Sequence, residues 1–286
     1  ALEKWEFLKD YKYSVIFTCD DFSSTLKKAK EIIPLENTYE NDYLYTSFVK
    51  PVAYSMDGYY FLKFNLAYAA IHPLTQEEFL TKYPFLVVFH EKGELIEFRF
   101  DVLKRVFLSD KKEPTIYSNL IAEMSDYFKE HFECDLIPLN LDFMVNVCKR
   151  DENVKLIAQS MKLPNGGNAQ LDVGNNQEYI LPFIGELRSL LNDNQAELEK
   201  VPDFREALEQ FMFEMEEMSD YPWIELLWEN EIKTRSNRVK FVFNYMNKSY
   251  CLIQYYYSNV LIGMERMNYV IEYIVNHRND DTTQNE

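Results

Sequence analysis

Glycine is scarce in this sequence, with 7 glycines among 286 residues. Loops that cradle phosphate groups need backbone without Cβ close to the ligand, so this chain has few positions for them. Its one Gly-Gly pair lies in Pro164-Asn165-Gly166-Gly167, which has the character of a hairpin turn and lacks the following Lys and Ser/Thr of a phosphate-binding loop. The composition therefore argues against a nucleotide-binding loop.

Long apolar runs and paired cysteines are also missing. Apolar stretches such as Pro84–Phe89 and Val260–Met264 are far shorter than the roughly 20 residues that span a bilayer. The first six residues lack the apolar core of a secretion signal. No Cys-x-x-Cys occurs, which favours reduced thiols. The four cysteines are Cys19, Cys134, Cys148 and Cys251. We therefore expect a cytoplasmic protein with no membrane partner.

Basic residues are outnumbered, with 30 Lys and Arg against 47 Asp and Glu, and the net charge is −17. Much of the excess lies between Glu178 and Ile232, where 15 acidic and 3 basic residues give a net charge of −12. A field of this sign repels nucleic acids and anionic lipids and attracts basic proteins. We therefore expect no binding of nucleic acid except through one local basic run. That run consists of Lys233, Arg235, Arg238 and Lys240.

Aromatic residues are abundant, with 21 Tyr and 21 Phe, and they favour strands. Pairs of strand-like segments recur, each followed by a helix-like segment. The pattern predicts an α+β fold with a mainly antiparallel sheet built from hairpins, each followed by a covering helix. The predicted hairpins and helices are 85–100 with 117–132, 154–173 with 179–192, and 239–257 with 260–275. A further short helix is predicted from the capping-box spacing at Thr75, ending near Pro84.

The charged segment Lys149–Asn153 interrupts the apolar pattern and suggests a domain boundary. We expect an N-terminal α+β domain over residues 1–150 and a C-terminal α+β domain with an acidic helix over 151–278. Residues 279–286 have nothing to bury and are predicted to be a mobile tail.

The acidic helix, Pro202–Met218, is the clearest single element because its apolar residues recur at helical spacing. The stripe predicted to be buried is Phe204, Leu208, Phe211, Met215 and Met218. The acidic residues predicted to face a partner are Glu206, Glu209, Glu214, Glu216 and Glu217.

No catalytic motif accompanies these features, so the leading hypothesis is a non-catalytic interaction or regulatory protein without a cofactor. It would present its acidic surface to a basic protein, such as a nucleic-acid-binding protein or a toxin, and would inhibit it by occupying that surface.

Two alternatives remain open. The first is a metal-dependent hydrolase or nuclease with a degenerate D…E-x-K site, in which carboxylates hold Mg²⁺ and a lysine stabilises the attacked phosphate. Its candidate residues are Asp220, Glu225, Glu231 and Lys233. The second is a small-molecule sensor with a tyrosine-lined pocket between the sheet and a helix.

Two smaller motifs have simpler structural explanations. Asp20-Asp21 follows a strand and precedes a helix, a position that suits Mg²⁺ but suits a helix cap equally well. We favour the cap. His131-x-x-Cys134 with Cys148 offers three of the four ligands that a structural zinc needs, so the set is incomplete.

Overall fold

The computed structural model describes residues 2–32, 44–71, 74–103, 115–151, 153–163, 166–172, 184–217, 219–229, 236–256 and 263–278. The chain divides into two compact units, one formed by residues 1–141 with 244–286 and the other by residues 142–243. The boundaries of these units differ from those of the predicted domains, 1–150 and 151–278. That the two predicted domains fold independently stays a prediction. The predicted tail lies outside the described residues.

The first unit contains a sheet with the strand order β2-β3-β4-β5-β1-β11, and β6 pairs with the end of β1. Its elements are α1 (Leu2–Leu8), β1 (Tyr13–Thr18), α2 (Phe22–Lys30), β2 (Val52–Met56), β3 (Tyr59–Ile71), β4 (Glu78–His90), β5 (Leu95–Phe100), α3 (Ile116–Phe132), β6 (Ile137–Pro138), β11 (Leu252–Tyr255) and α8 (Glu265–His277).

The second unit has the strand order β10-β9-β7-β8. Its elements are α4 (Met144–Arg150), β7 (Val154–Lys162), β8 (Asn168–Asp172), α5 (Ile184–Asp193), α6 (Gln195–Leu198), α7 (Pro202–Glu217), β9 (Asp220–Glu229) and β10 (Ser236–Val242). A small apolar cluster joins Met161 of β7 to Met212 of α7, with Leu187 and Leu191 of α5 packed against it.

The α+β class and the mainly antiparallel sheet are confirmed, because the named strands pair antiparallel in both units. That each hairpin is covered by the helix after it stays a prediction. Among the described residues, no helix is long and apolar enough to cross a membrane. Cys19 and Cys134 carry free thiols.

The short helix predicted from Thr75 to Pro84 is wrong. Strand β4 starts at Glu78 instead and pairs along its whole length with β3, from Ile71↔Glu78 to Tyr59↔His90. A capping box favours a helix only locally, whereas a continuous ladder satisfies backbone groups along the whole strand. Pro84 lies within this ladder opposite Asn65.

The sheet of the first unit has two different faces because successive side chains of a strand point to opposite sides. Ile96, Phe98 and Phe100 of β5 belong to an aromatic face, where Phe98 lies 5.7 Å from the ring of Phe128 in α3. The other face carries Glu97 and Arg99, and the strand register places Lys63 of β3 on the same side. We call this second side the charged face. Helices α1 and α8 contact it.

Ion pairs join α1 to the charged face. Lys63 has no exposed side-chain surface, and its Nζ donates to Glu6 at 2.6 Å and also to Glu3. Lys82 contacts the same two carboxylates. Burial by itself raises the pKa of Glu3, but the bonds and charges of the two lysines outweigh it and lower that pKa. The position of α1 therefore depends on charge pairing as well as on its buried Phe7.

A second ion pair joins the charged face to α8. Glu97 and Arg99 are both fully buried, and Arg99 Nε donates to Glu97 Oε2 at 2.8 Å. Arg99 Nη2 donates to Asn268 Oδ1 of α8 at 2.7 Å. A buried charge that loses its partner is strongly destabilising, so each member of this pair requires the other.

We expect Arg99→Met to lower the free energy of unfolding by about 3–5 kcal/mol, because it leaves the Glu97 carboxylate buried without its cation. The double variant Glu97→Leu/Arg99→Met should recover at least half of that loss, since it removes both charges of the pair. Urea unfolding followed by circular dichroism measures both.

The exposed pair Lys129–Asp135 supplies the matched control. Lys129→Met should leave the unfolding transition unchanged, because water solvates both partners. If Arg99→Met and the double variant lowered the free energy of unfolding equally, the proposed dependence of each charge on its partner would be contradicted.

Candidate functional site

Helix α7 carries the acidic residues that the sequence suggested for partner binding. Its one fully buried side chain among those described is Met212, and Leu208 and Met215 are half-buried beside it. Phe204 and Phe211, which we expected in the buried stripe, are 59% and 45% exposed. That prediction is wrong because the helix packs through Met212, about 100° around the axis from Phe211. Met218 lies outside the described residues.

Phe204 and Phe211 are seven residues apart, so they lie on one side of α7 and about 10 Å apart along its axis. Ala207 lies between them and is also exposed. We call these three residues the aromatic edge. Glu214 follows Phe211 by three residues and therefore adjoins the edge. Phe213 is 58% exposed but lies on the opposite side of the helix.

Three of the predicted partner-binding acids, Glu206, Glu209 and Glu214, are exposed. Glu209 accepts a hydrogen bond from Arg205 Nε at 2.7 Å, and Glu214 accepts one from Gln210 Nε2 at 2.9 Å. Glu216 and Glu217 belong to the last turn of α7, but their side chains lie outside what the structure describes.

Asp220 and Glu225 are the members of the nuclease alternative whose side chains the structure describes. Asp220 is exposed at the start of β9, whereas Glu225 is buried in its middle. Glu225 accepts a hydrogen bond from Arg238 Nε. Glu231 and Lys233 lie outside the described residues, so the nuclease alternative stays a prediction.

The basic run is described only at Arg238 and Lys240, since Lys233 and Arg235 lie outside the described residues. Both described members contact β9. Arg238 forms an ion pair with Glu225, and Lys240 Nζ lies 3.5 Å from the ring centroid of Trp223. Burial lowers the pKa of Lys240, against the effect of the nearby Glu225.

Asp21 is the N-cap of α2, because its Oδ1 accepts a hydrogen bond from the Ser24 backbone N–H at 2.9 Å. The predicted helix cap is therefore confirmed for this residue. The ring of His131 stacks on Tyr127 at 4.0 Å, and its Nδ1 lies 3.1 Å from the Tyr127 carbonyl oxygen. Within the described parts of the chain, no three His, Cys, Asp or Glu side chains are arranged to hold a metal.

The first unit contains a pocket of about 240 Å³ whose location the sequence did not reveal. Two hairpin turns, one between β2 and β3 and one between β4 and β5, face α8 across it. We call it the turn pocket. The lining residues that matter below are Asp57, Tyr59, His90, Lys92, Ile271, Glu272 and Val275.

His90 connects the turn pocket to the buried ion pair. Its Nε2 lies 2.9 Å from Glu97 Oε2. Burial by itself raises the pKa of Glu97, but Arg99 and His90 outweigh it and lower that pKa, so the carboxylate is ionised. An ionised carboxylate only accepts hydrogen bonds, which makes Nε2 of His90 the donor. Burial lowers the pKa of His90, so the ring is neutral at pH 7 and Nδ1 is an acceptor.

Tyr59 lines a second wall of the turn pocket. Its hydroxyl donates to Glu272 Oε1 at 3.1 Å, and its ring meets His90 edge to face with centroids 5.3 Å apart. Burial, with the charge of Glu272 as the next cause, raises the pKa of Tyr59 to about 12. The tyrosine is therefore protonated and fixes one carboxylate oxygen of Glu272.

We expect the stability of the first unit to fall as the pH is lowered from 7.5 to 5.5. The pKa of His90 is below its ordinary value of about 6.5, so the unfolded chain binds more protons than the folded chain in this range. The contribution is present above pH 6.5 and is lost below it, with a slope of at most about 1.4 kcal/mol per pH unit.

Urea unfolding across this pH range tests the expectation, with His90→Gln as the comparison because glutamine can still donate to Glu97. Nitrogen NMR of the imidazole should show the neutral Nε2–H form at pH 7. A protonated His90 at pH 6.5, or an unchanged pH slope in His90→Gln, would contradict it.

No model of a known protein family matches this chain, and no curated protein matches it in sequence.

Proposed function

We propose that this chain is a non-catalytic binding protein that docks a basic, amphipathic segment of a partner protein on α7. The aromatic edge is the observation that supports it. Phe204 and Phe211 each leave about half of a large apolar side chain in water. Aromatic side chains are enriched at the centres of protein interfaces, where they account for much of the binding energy.

Charge complementarity indicates the chemistry of the partner. The aromatic edge lies within the segment from Glu178 to Ile232, which carries a net charge of −12. Exposed carboxylates, including Glu206 and Glu214, lie on the same helix. Such a field speeds the approach of a positively charged partner and disfavours an acidic one.

The length of α7 sets the size of the contact. Its 16 residues span about 24 Å, which matches four turns of a partner helix. The occupant is therefore a short segment with an apolar stripe and flanking Lys or Arg side chains. In a nucleic-acid-binding protein the basic surface also binds the nucleic acid. Such a partner would therefore be inhibited while docked on α7.

A fluorescent amphipathic peptide made of Leu and Lys at helical spacing is a suitable probe. Phe204→Ala and Phe211→Ala should each weaken its binding roughly tenfold, about 1.4 kcal/mol, because each removes an anchor. Glu206→Lys combined with Glu214→Lys should weaken binding and reduce its dependence on salt. Fluorescence anisotropy at low and moderate ionic strength measures both effects.

Phe213→Ala is the matched control, because Phe213 has the same residue type and similar exposure on the other side of the same helix. Glu130→Lys, on α3 of the first unit, supplies a charge reversal on a different helix. Equal losses from Phe213→Ala and Phe211→Ala, or binding that is insensitive to salt, would refute docking on the aromatic edge.

A further inference from the structure

We propose that the turn pocket binds a small organic cation, a primary ammonium group on a short apolar stem. This site lies in the first unit and shares no residue with α7, so it is independent of the docking proposal. The argument rests on which polar atoms the pocket presents and on what lies behind them.

The buried wall of the pocket offers an acceptor. His90 is 5% exposed and uses Nε2 to donate to Glu97, which leaves Nδ1 as its other polar atom. Glu97 is held in place by Arg99, which bonds in turn to Asn268. This chain of bonds fixes the tautomer, so a ligand atom that bonds to Nδ1 of His90 must be a donor.

The open side of the pocket offers carboxylates. Tyr59 occupies Oε1 of Glu272, and Oε2 remains for a ligand. Asp57, in the turn between β2 and β3, adds a second exposed carboxylate. Lys92 is the basic residue of the lining, and its side chain is exposed at the rim. Two carboxylates and a neutral imidazole acceptor favour a ligand that is positively charged and rich in N–H donors.

The arrangement of the polar lining residues argues against a bare metal ion, and the apolar lining residues set the shape of the ligand. Among the described residues, no three potential metal ligands are suitably arranged, although His90, Glu272 and Asp57 all line the pocket. Ile271 and Val275 supply an apolar surface for a short stem, and the Tyr59 ring is suited to a neighbouring ammonium. The volume is below the roughly 300–1,000 Å³ of sites for drug-sized molecules, so the ligand is small.

Three probes of equal length distinguish the chemistry: n-pentylamine, 1-pentanol and pentanoate. The imidazole nitrogen signals of His90 are followed by NMR in the intact protein at neutral pH. Pentylamine should shift the His90 signals saturably, and the other two probes should bind at least tenfold more weakly. Glu272→Gln should weaken pentylamine binding at least tenfold, because it removes the charge that pairs with the ammonium.

Glu130→Gln is the control, since it removes one exposed carboxylate of α3 and should leave pentylamine binding unchanged. Tyr59→Phe keeps the ring but frees Glu272, so it should weaken binding less than Glu272→Gln. Preferential binding of pentanoate, equal binding of pentanol, or no saturable shift of His90 with pentylamine would overturn the proposal.

Discussion

Two opposite charges placed two residues apart on β5 determine how the first unit is built. Glu97 and Arg99 lie on a face that helices cover, where water cannot solvate them. Their remaining hydrogen-bonding capacity must therefore be met by protein groups, and Asn268 of α8 and His90 of β4 meet part of it. If the hydrogen bonds of this ion pair were not formed, the packing of the helices on the charged face would be destabilised. The bond from Arg99 to Asn268 thereby joins α8 to this face.

Each of the two units departs from the usual distribution of side chains. The first unit buries charges, and the second leaves phenylalanines of α7 in water. Each departure costs stability unless something compensates for it. In the first unit the compensation is internal, because the buried charges are paired. In the second unit nothing within the described residues covers Phe204 and Phe211, and this difference is why an external partner is proposed for α7 alone.

Much of the architecture was predictable, because strands and helices leave periodic patterns in the sequence. The hairpin β7–β8 and helix α3 lie close to their predicted ranges. The errors arose where long-range packing outweighs local preference. At Thr75 a ladder with β3 replaces the predicted helix, and at Phe211 a rotation of α7 exposes a residue expected to be buried. The location of the turn pocket was not predictable, since its walls come from segments more than 170 residues apart. The one available signal was Glu97 and Arg99 in an otherwise apolar strand, a pattern that usually indicates a solvated face.

The turn between β4 and β5 shows how a neighbouring helix can decide which residue of a turn is glycine. Glu94, and not Gly93, has the left-handed backbone conformation, with φ of 51°. A Cβ at position 93 would lie 2.7 Å from Cγ2 of Val275, a β-branched side chain with little freedom to move. Position 93 is thus constrained by its distance to α8, and position 94 by its own backbone torsion. Any homologue that carries a side chain at 93 must also have a smaller residue at 275 or a wider gap at this end of the helix.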